Sequence, residues 1–146
     1  MTRDRLGRIT KLLSLREHAL DKARAACAAA DREAQARRDA ASREEERYEE
    51  TVERVRALRH ASADEFVLAR NEVRVAQARV ESKETALADA LTQLGDHKKA
   101  VTEAHRSVRQ MELYAESTQA MLREEERLLD RVTSDEIAAR SRKKEP

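Results

Sequence analysis

The chain has 146 residues, of which 40% are charged and 2% aromatic, with two glycines and one proline. So few aromatic and turn-forming residues argue against a β-rich fold and against a large compact core. Thirty basic residues against 29 acidic ones leave a net charge of +1, which provides no global attraction to nucleic acid or to an anionic membrane. The single cysteine is typical of a reducing compartment, and no apolar run approaches the roughly 20 residues that span a bilayer. We therefore expect a soluble, cytoplasmic protein built from long helices.

The first predicted helix covers about 3–59 and carries an apolar residue at every seventh position. These positions are Leu6, Leu13, Leu20, Cys27, Ala34, Ala41, Tyr48 and Val55. A strict seven-residue repeat indicates the seam of a left-handed coiled coil. The second seam position, three residues later, is small or polar more often: Ile9, Arg16, Ala23, Ala30, Arg37, Glu44, Thr51 and Leu58.

A turn is predicted at about 60–62. Ser62 and Glu65 match the capping-box pattern Ser-x-x-Glu, in which each residue's side chain bonds to the other's backbone N–H at the start of a helix. The seam also changes phase here, because Val55 and Phe66 are eleven residues apart, a spacing that an uninterrupted seven-residue repeat does not contain.

The second predicted helix covers about 63–139, and a charged tail follows at 140–146. Its first seam position is apolar ten times in succession: Phe66, Val73, Val80, Leu87, Leu94, Val101, Val108, Ala115, Leu122 and Leu129. Its second position reads Ala69, Ala76, Lys83, Ala90, His97, Ala104, Met111 and Thr118.

The seam predicts an all-α fold: a single long antiparallel two-helix coiled-coil hairpin with a C-terminal helical overhang. Folding the chain at Ser62 places large seam residues against small ones, such as Leu94 against Ala30. Leu58 and Phe66 are expected to close the layer beside the turn. Arg3 would lie near Met121, so the apolar residues from about 122 onward would lack a partner within the hairpin. That overhang comprises Leu122, Leu128, Leu129 and Val132. Apolar periodicity without an internal partner indicates an external one.

No motif for catalysis, phosphate binding or a cofactor is found, so we expect a protein that is not an enzyme and holds no cofactor or metal. Cys27 and His97 would face each other, but a structural zinc site needs four ligands. Basic residues gather at the end that carries both termini: Arg3, Arg5, Arg8, Lys11 and Arg16 at the start, and Arg140, Arg142, Lys143 and Lys144 in the tail. An acidic protein surface and simple solvation explain this basic pole about equally well.

Both ends of the chain resemble the flagellar FliJ and type III secretion YscO family. The opening RLGRITKLLSLRE at 5–17 is similar to the basic R-L-x-x-L-L-x-L-R-E helix with which members begin. The closing EEERLLD at 124–130 and DEIAAR at 135–140 resemble the family's charged tail.

This resemblance implies the central stalk of a type III export apparatus. The end with both termini would enter the ring of a hexameric export ATPase, and the turn end would approach the membrane export gate protein. Matching positions at the ATPase end are Leu12, Leu13, Leu15, Arg16, Glu17, Leu129, Asp135, Glu136 and Arg140. The overhang adds Leu122 and Val132 to this surface, and Phe66 and Val73 are the candidates for the gate side. Export chaperones are left open as further partners, and the protein would be peripheral to the membrane through its partners.

Two other functions remain open. A coiled-coil scaffold or adaptor would form a homodimer whose mass depends on concentration. A helical protein that binds DNA or RNA would use the basic pole, and its affinity would fall steeply with salt. No aromatic residues interleave the basic ones to stack on bases, which argues against nucleic acid. The stalk hypothesis predicts a monomer with neither property.

Overall fold

The computed structural model describes residues 1–144, and two helices account for nearly all of them. Helix α1 spans Thr2–Arg56 and helix α2 spans Ala63–Arg142. They pack against each other as a hairpin, and no strand occurs over the described 144 residues, so the predicted all-α fold is confirmed. α1 ends three residues before the predicted boundary, and α2 continues past 139 to include Arg140. The last two residues of the predicted tail, Glu145 and Pro146, lie outside the described part.

The start of α2 carries the predicted capping box. The Ser62 backbone N–H donates to Glu65 Oε2 at 3.0 Å, and the Glu65 N–H donates to Ser62 Oγ at 3.3 Å. These bonds satisfy backbone donors that have no partner within the first turn of a helix. The chain therefore reverses direction here without a glycine.

The turn half of the hairpin, Ala23–Val101, is one of two compact units. Its best-buried cluster consists of Ala34, Ala90 and Leu94, with Cys27 and Ala30 packed against it. The predicted pairing of Leu94 with Ala30 is therefore present. Nearer the turn, Arg54 forms an exposed ion pair with Glu72 at 3.4 Å, which places these two residues side by side on the two helices.

The second unit consists of Met1–Lys22 and the chain from Thr102 onward. Its buried residues are Ile9, Leu20, Val108, Met111 and Thr118, all at predicted seam positions. Arg16 occupies the seam as well, where its guanidinium Nη1 donates a hydrogen bond to the hydroxyl of Ser107. A charged residue is tolerated at this seam position because its long side chain reaches a polar partner at the edge.

The prediction that Leu58 and Phe66 close the seam beside the turn is wrong. Leu58 and Phe66 are both about half exposed, although the repeat places them in the seam. Since Arg54 lies beside Glu72 and α1 ends at Arg56, no helical residue of α1 is left to cover the first turn of α2.

Candidate docking surfaces

The overhang of α2 begins later than predicted. The Thr2 hydroxyl donates to a carboxylate oxygen of Glu125, and Arg3 forms an ion pair with Glu126 at 3.4 Å. Arg3 was expected near Met121, so α1 reaches further along α2 than the simple mirror implies. Leu122 is half-buried beside α1 and does not belong to an uncovered surface. The overhang proper therefore starts after Glu126.

The apolar residues beyond Glu126 are exposed. Leu129 retains 66% of its surface accessible and Val132 56%, and Leu128 is about half exposed. Asp135, Glu136 and Arg140 follow on the same continuous helix and are also exposed. This overhang surface therefore mixes exposed apolar and charged residues along its length, and Ile137 near its end is 60% exposed.

The N-terminal residues of the predicted ATPase surface divide into two groups. Leu12, Leu15 and Glu17 are exposed on α1. Leu13 and Arg16 are half-buried in the seam, where they contribute to the hairpin itself. Changes at Leu13 or Arg16 would therefore perturb folding as well as any binding.

A second exposed stripe in the same unit was not recognised in the sequence. Tyr114, Met121 and Leu128 are each about half exposed and stand seven residues apart, directly before a seam residue. A seven-residue spacing keeps them on one side of α2, next to the seam. The seven-residue spacing of these three residues is visible in the sequence. The seam repeat directly beside it, however, already explains the apolar residues in this part of α2.

At the turn end, the two predicted gate residues differ. Phe66 is exposed, whereas Val73 is half-buried in the seam. Val67 and Leu68, which were not predicted, are exposed next to Phe66. The surface at this end is therefore formed by the first two turns of α2.

The predicted basic pole is partly neutralised. The acidic run Glu124–Glu126 lies against the start of α1, through the contacts with Thr2 and Arg3. Its position lowers the positive charge that a nucleic acid or an acidic protein would meet near Arg3.

Cys27 and His97 are both half-buried in the turn unit. Within residues 1–144, no three His, Cys, Asp or Glu side chains are grouped closely enough to hold a metal ion. Neither of the two described helices contains an apolar stretch that is long enough to cross a membrane.

No protein-family model, curated protein or solved structure matches this chain.

Proposed function

We propose that this protein is a non-enzymatic, cytoplasmic stalk of a type III protein export apparatus, either flagellar or virulence-associated. In this proposal the end with both termini docks in a hexameric export ATPase, and the turn end reaches the membrane export gate protein. Export chaperones would be further partners of the same stalk.

The observation that carries the proposal is the continuation of α2 beyond the start of α1. Beyond Glu126, the residues Leu129 and Val132 are exposed although they occupy seam positions of the seven-residue repeat. Seam positions of a coiled coil normally pack against a partner helix. A helix that extends as one uninterrupted element can present such residues to a surrounding ring. The motifs that resemble the FliJ and YscO family lie at this same end, at 5–17 and 124–140.

The test is the ATPase rate of a purified hexameric type III export ATPase, with and without this protein. The wild-type chain should stimulate hydrolysis. The variant Leu129→Asp/Val132→Asp should need about tenfold more protein for half-maximal stimulation, since two apolar anchors at the centre of an interface are lost. Both residues are exposed, so the variant should fold as the wild type does.

A matched control is Leu91→Asp/Leu113→Asp, which changes two exposed leucines of α2 outside the overhang. It should stimulate like the wild type. A wild-type chain without effect on the ATPase, or a Leu129/Val132 variant as active as the control, would refute the stalk proposal.

The second candidate is a homodimeric scaffold, which the stripe of Tyr114, Met121 and Leu128 favours. Exposed apolar residues at seven-residue spacing beside a seam are suited to packing against another hairpin. This candidate predicts a mass that doubles with concentration in light scattering and returns to 16.7 kDa in Met121→Glu. A wild-type chain whose mass stays that of a monomer at all concentrations would exclude the homodimeric scaffold.

A further inference from the structure

The unit that carries both termini has an apolar face to which both helices contribute. On α1, Leu12 and Leu15 are 47% and 64% exposed, and on α2, Tyr114 and Met121 are 52% and 51% exposed. All four residues belong to this unit, which consists of Met1–Lys22 and the chain from Thr102 onward. The exposed stripe described above for α2 is therefore one half of a wider surface.

The four residues lie on the same side of the hairpin. Leu12 and Tyr114 each come directly before a first seam residue. In an antiparallel pair of helices, these positions of the two helices flank the seam on the same side, and the ion pair between the helices near the turn joins two residues of this kind. Leu15 is three residues after Leu12, and Met121 is seven after Tyr114, so both stay on that side. We call this surface the open-end face.

The two helices give the open-end face opposite charges. Its charged residues on α1 are all basic, and those on α2 as far as Glu124 are both acidic. Arg16 reaches this side through its hydrogen bond with Ser107, which comes directly before a seam residue. The complete set is Arg5, Arg8, Arg16 and Lys22 on α1, and Glu103 and Glu124 on α2. A complementary partner presents acidic residues to α1 and basic residues to α2.

The opposite side of this unit differs in chemistry. There Arg109 contacts both Glu112 and Glu116 on its own helix, at 3.1 and 3.7 Å. Charges of both signs are thus already matched within α2 on that side. The apolar residues and the separated charges together make the open-end face the side that suits a partner.

A second copy of the open-end face meets the charge requirement. Rotation by 180° about an axis parallel to the helices places α1 of one copy across α2 of the other, at the same level and antiparallel to it. Leu12 then lies near Tyr114 of the second copy, and Lys22 near Glu103 of the second copy. The two-fold axis repeats each contact. The alternative stacking, with α1 on α1, would bring basic residues against basic residues.

The size of the open-end face is adequate for a dimer. It extends from Glu103 to Glu124 along α2 and is two helices wide, which makes it about 33 Å long and about 20 Å wide. Each copy would bury roughly 700 Å², close to the roughly 800 Å² per partner of a stable interface of standard size. Leu128 lies beyond the level that α1 of the second copy reaches.

We propose that the open-end face binds a second copy of the chain, with α1 of each copy packed across α2 of the other in a four-helix bundle. This inference rests on the second candidate function, the homodimer, and specifies its face, its orientation and its charged contacts. The free chain would then be a dimer, in place of the monomer expected of a stalk. Leu129 and Val132 lie beyond the open-end face, so ATPase stimulation is a separate measurement.

Sedimentation equilibrium of the purified chain over a range of concentrations, in low salt and without any ATPase, tests the apolar contacts. The wild-type mass should approach twice 16.7 kDa, and Leu12→Glu should return it to 16.7 kDa at the same concentrations. Leu12 is exposed, so its replacement should leave the fold intact. The matched control is Leu113→Glu, at a residue of the same unit that is 50% exposed and lies outside the open-end face, and it should stay dimeric.

Charge reversal tests the orientation. Lys22→Glu and Glu103→Lys, each measured alone, should raise the dissociation constant of the dimer about tenfold, because two contacts between opposite charges become contacts between like charges. A mixture of the two variants restores both contacts between the copies, so the mixed dimer should bind nearly as tightly as the wild type. The control mixture of Lys11→Glu and Glu116→Lys changes exposed residues outside the face and should show no such preference.

The outcomes separate this inference from the function on which it rests. A wild-type chain that stays at 16.7 kDa would exclude the homodimer and the open-end face together. A wild-type dimer that Leu12→Glu leaves unchanged would keep the homodimer but overturn this face. If Lys22→Glu and Glu103→Lys bound each other no more tightly than each binds itself, the packing of α1 across α2 would be wrong.

Discussion

Truncation of Leu94 is the most direct test of the packing within the turn unit. Leu94 is 7% exposed and belongs to the cluster with Ala34 and Ala90. Its neighbours in that cluster are mostly alanines, which have no side-chain freedom with which to fill the space that a shorter residue would leave. Leu91, three residues earlier on α2, is 40% exposed and serves as the matched control.

The expected loss follows from the groups removed. Leu94→Ala deletes three carbon atoms from a buried site, at about 0.8 kcal/mol for each, so the free energy of unfolding should fall by about 2–3 kcal/mol. This is the low end of the range for buried leucines, since water can enter a two-helix seam from its edges and no closed cavity forms. Leu91→Ala should change stability by no more than about 0.5 kcal/mol, and the high helix propensity of alanine offsets part of that.

Urea and thermal unfolding followed by far-ultraviolet circular dichroism measure both variants at one fixed protein concentration. The melting temperature of Leu94→Ala should fall by roughly 5–10 °C, given a few degrees per kcal/mol at this chain length. If Leu94→Ala and Leu91→Ala lost the same stability, Leu94 would not be part of a packed seam. The assignment of the core would then be wrong.

Two further predictions concern the backbone of α2. Ser62→Ala should lower the free energy of unfolding by about 1 kcal/mol in a urea titration, because the capping box loses its side-chain acceptor. The control is Ser82→Ala, at an exposed position within α2, which should be neutral or slightly stabilising in the same titration. Equal losses in the two serine variants would contradict a role for the cap. Gly95→Ala should raise stability by up to about 1 kcal/mol, because an added Cβ meets nothing within 4 Å and alanine favours the helix. A lower melting temperature in that variant would show that Gly95 is required by a contact absent from the free hairpin.

Much of the hairpin could be predicted because a coiled-coil seam is a local, repeating signal. The first seam positions of α1 from Leu6 to Val55 are all buried or half-buried, and those of α2 are covered from Val73 to Leu122. The capping pair Ser62 and Glu65 was also predictable, since it needs only the spacing of two residues.

The limits of the seam could not be predicted in the same way. Phe66 continues the apolar repeat without a break, yet it is exposed, because coverage depends on where the opposite helix ends. Arg37 occupies a seam position but is exposed and pairs with Glu33 on its own helix, at 2.8 Å. The repeat records a preference for burial and contains no information about the partner's last residue.

The sequence by itself determined that two helices pair antiparallel about Ser62, since heptad spacing and a helix cap are properties of neighbouring residues. Only the tertiary structure decided how far α1 extends along α2 at the open end, because that depends on side-chain contacts between residues more than a hundred positions apart. Arg3 and Glu126 illustrate this, because each belongs to an ordinary run of charged residues. Their ion pair shows that the overhang starts beyond Glu126 and not at Leu122 as predicted. The contacts at the start of α1 therefore separate the exposed candidate docking residues, Leu128, Leu129 and Val132, from Leu122, which is half-buried.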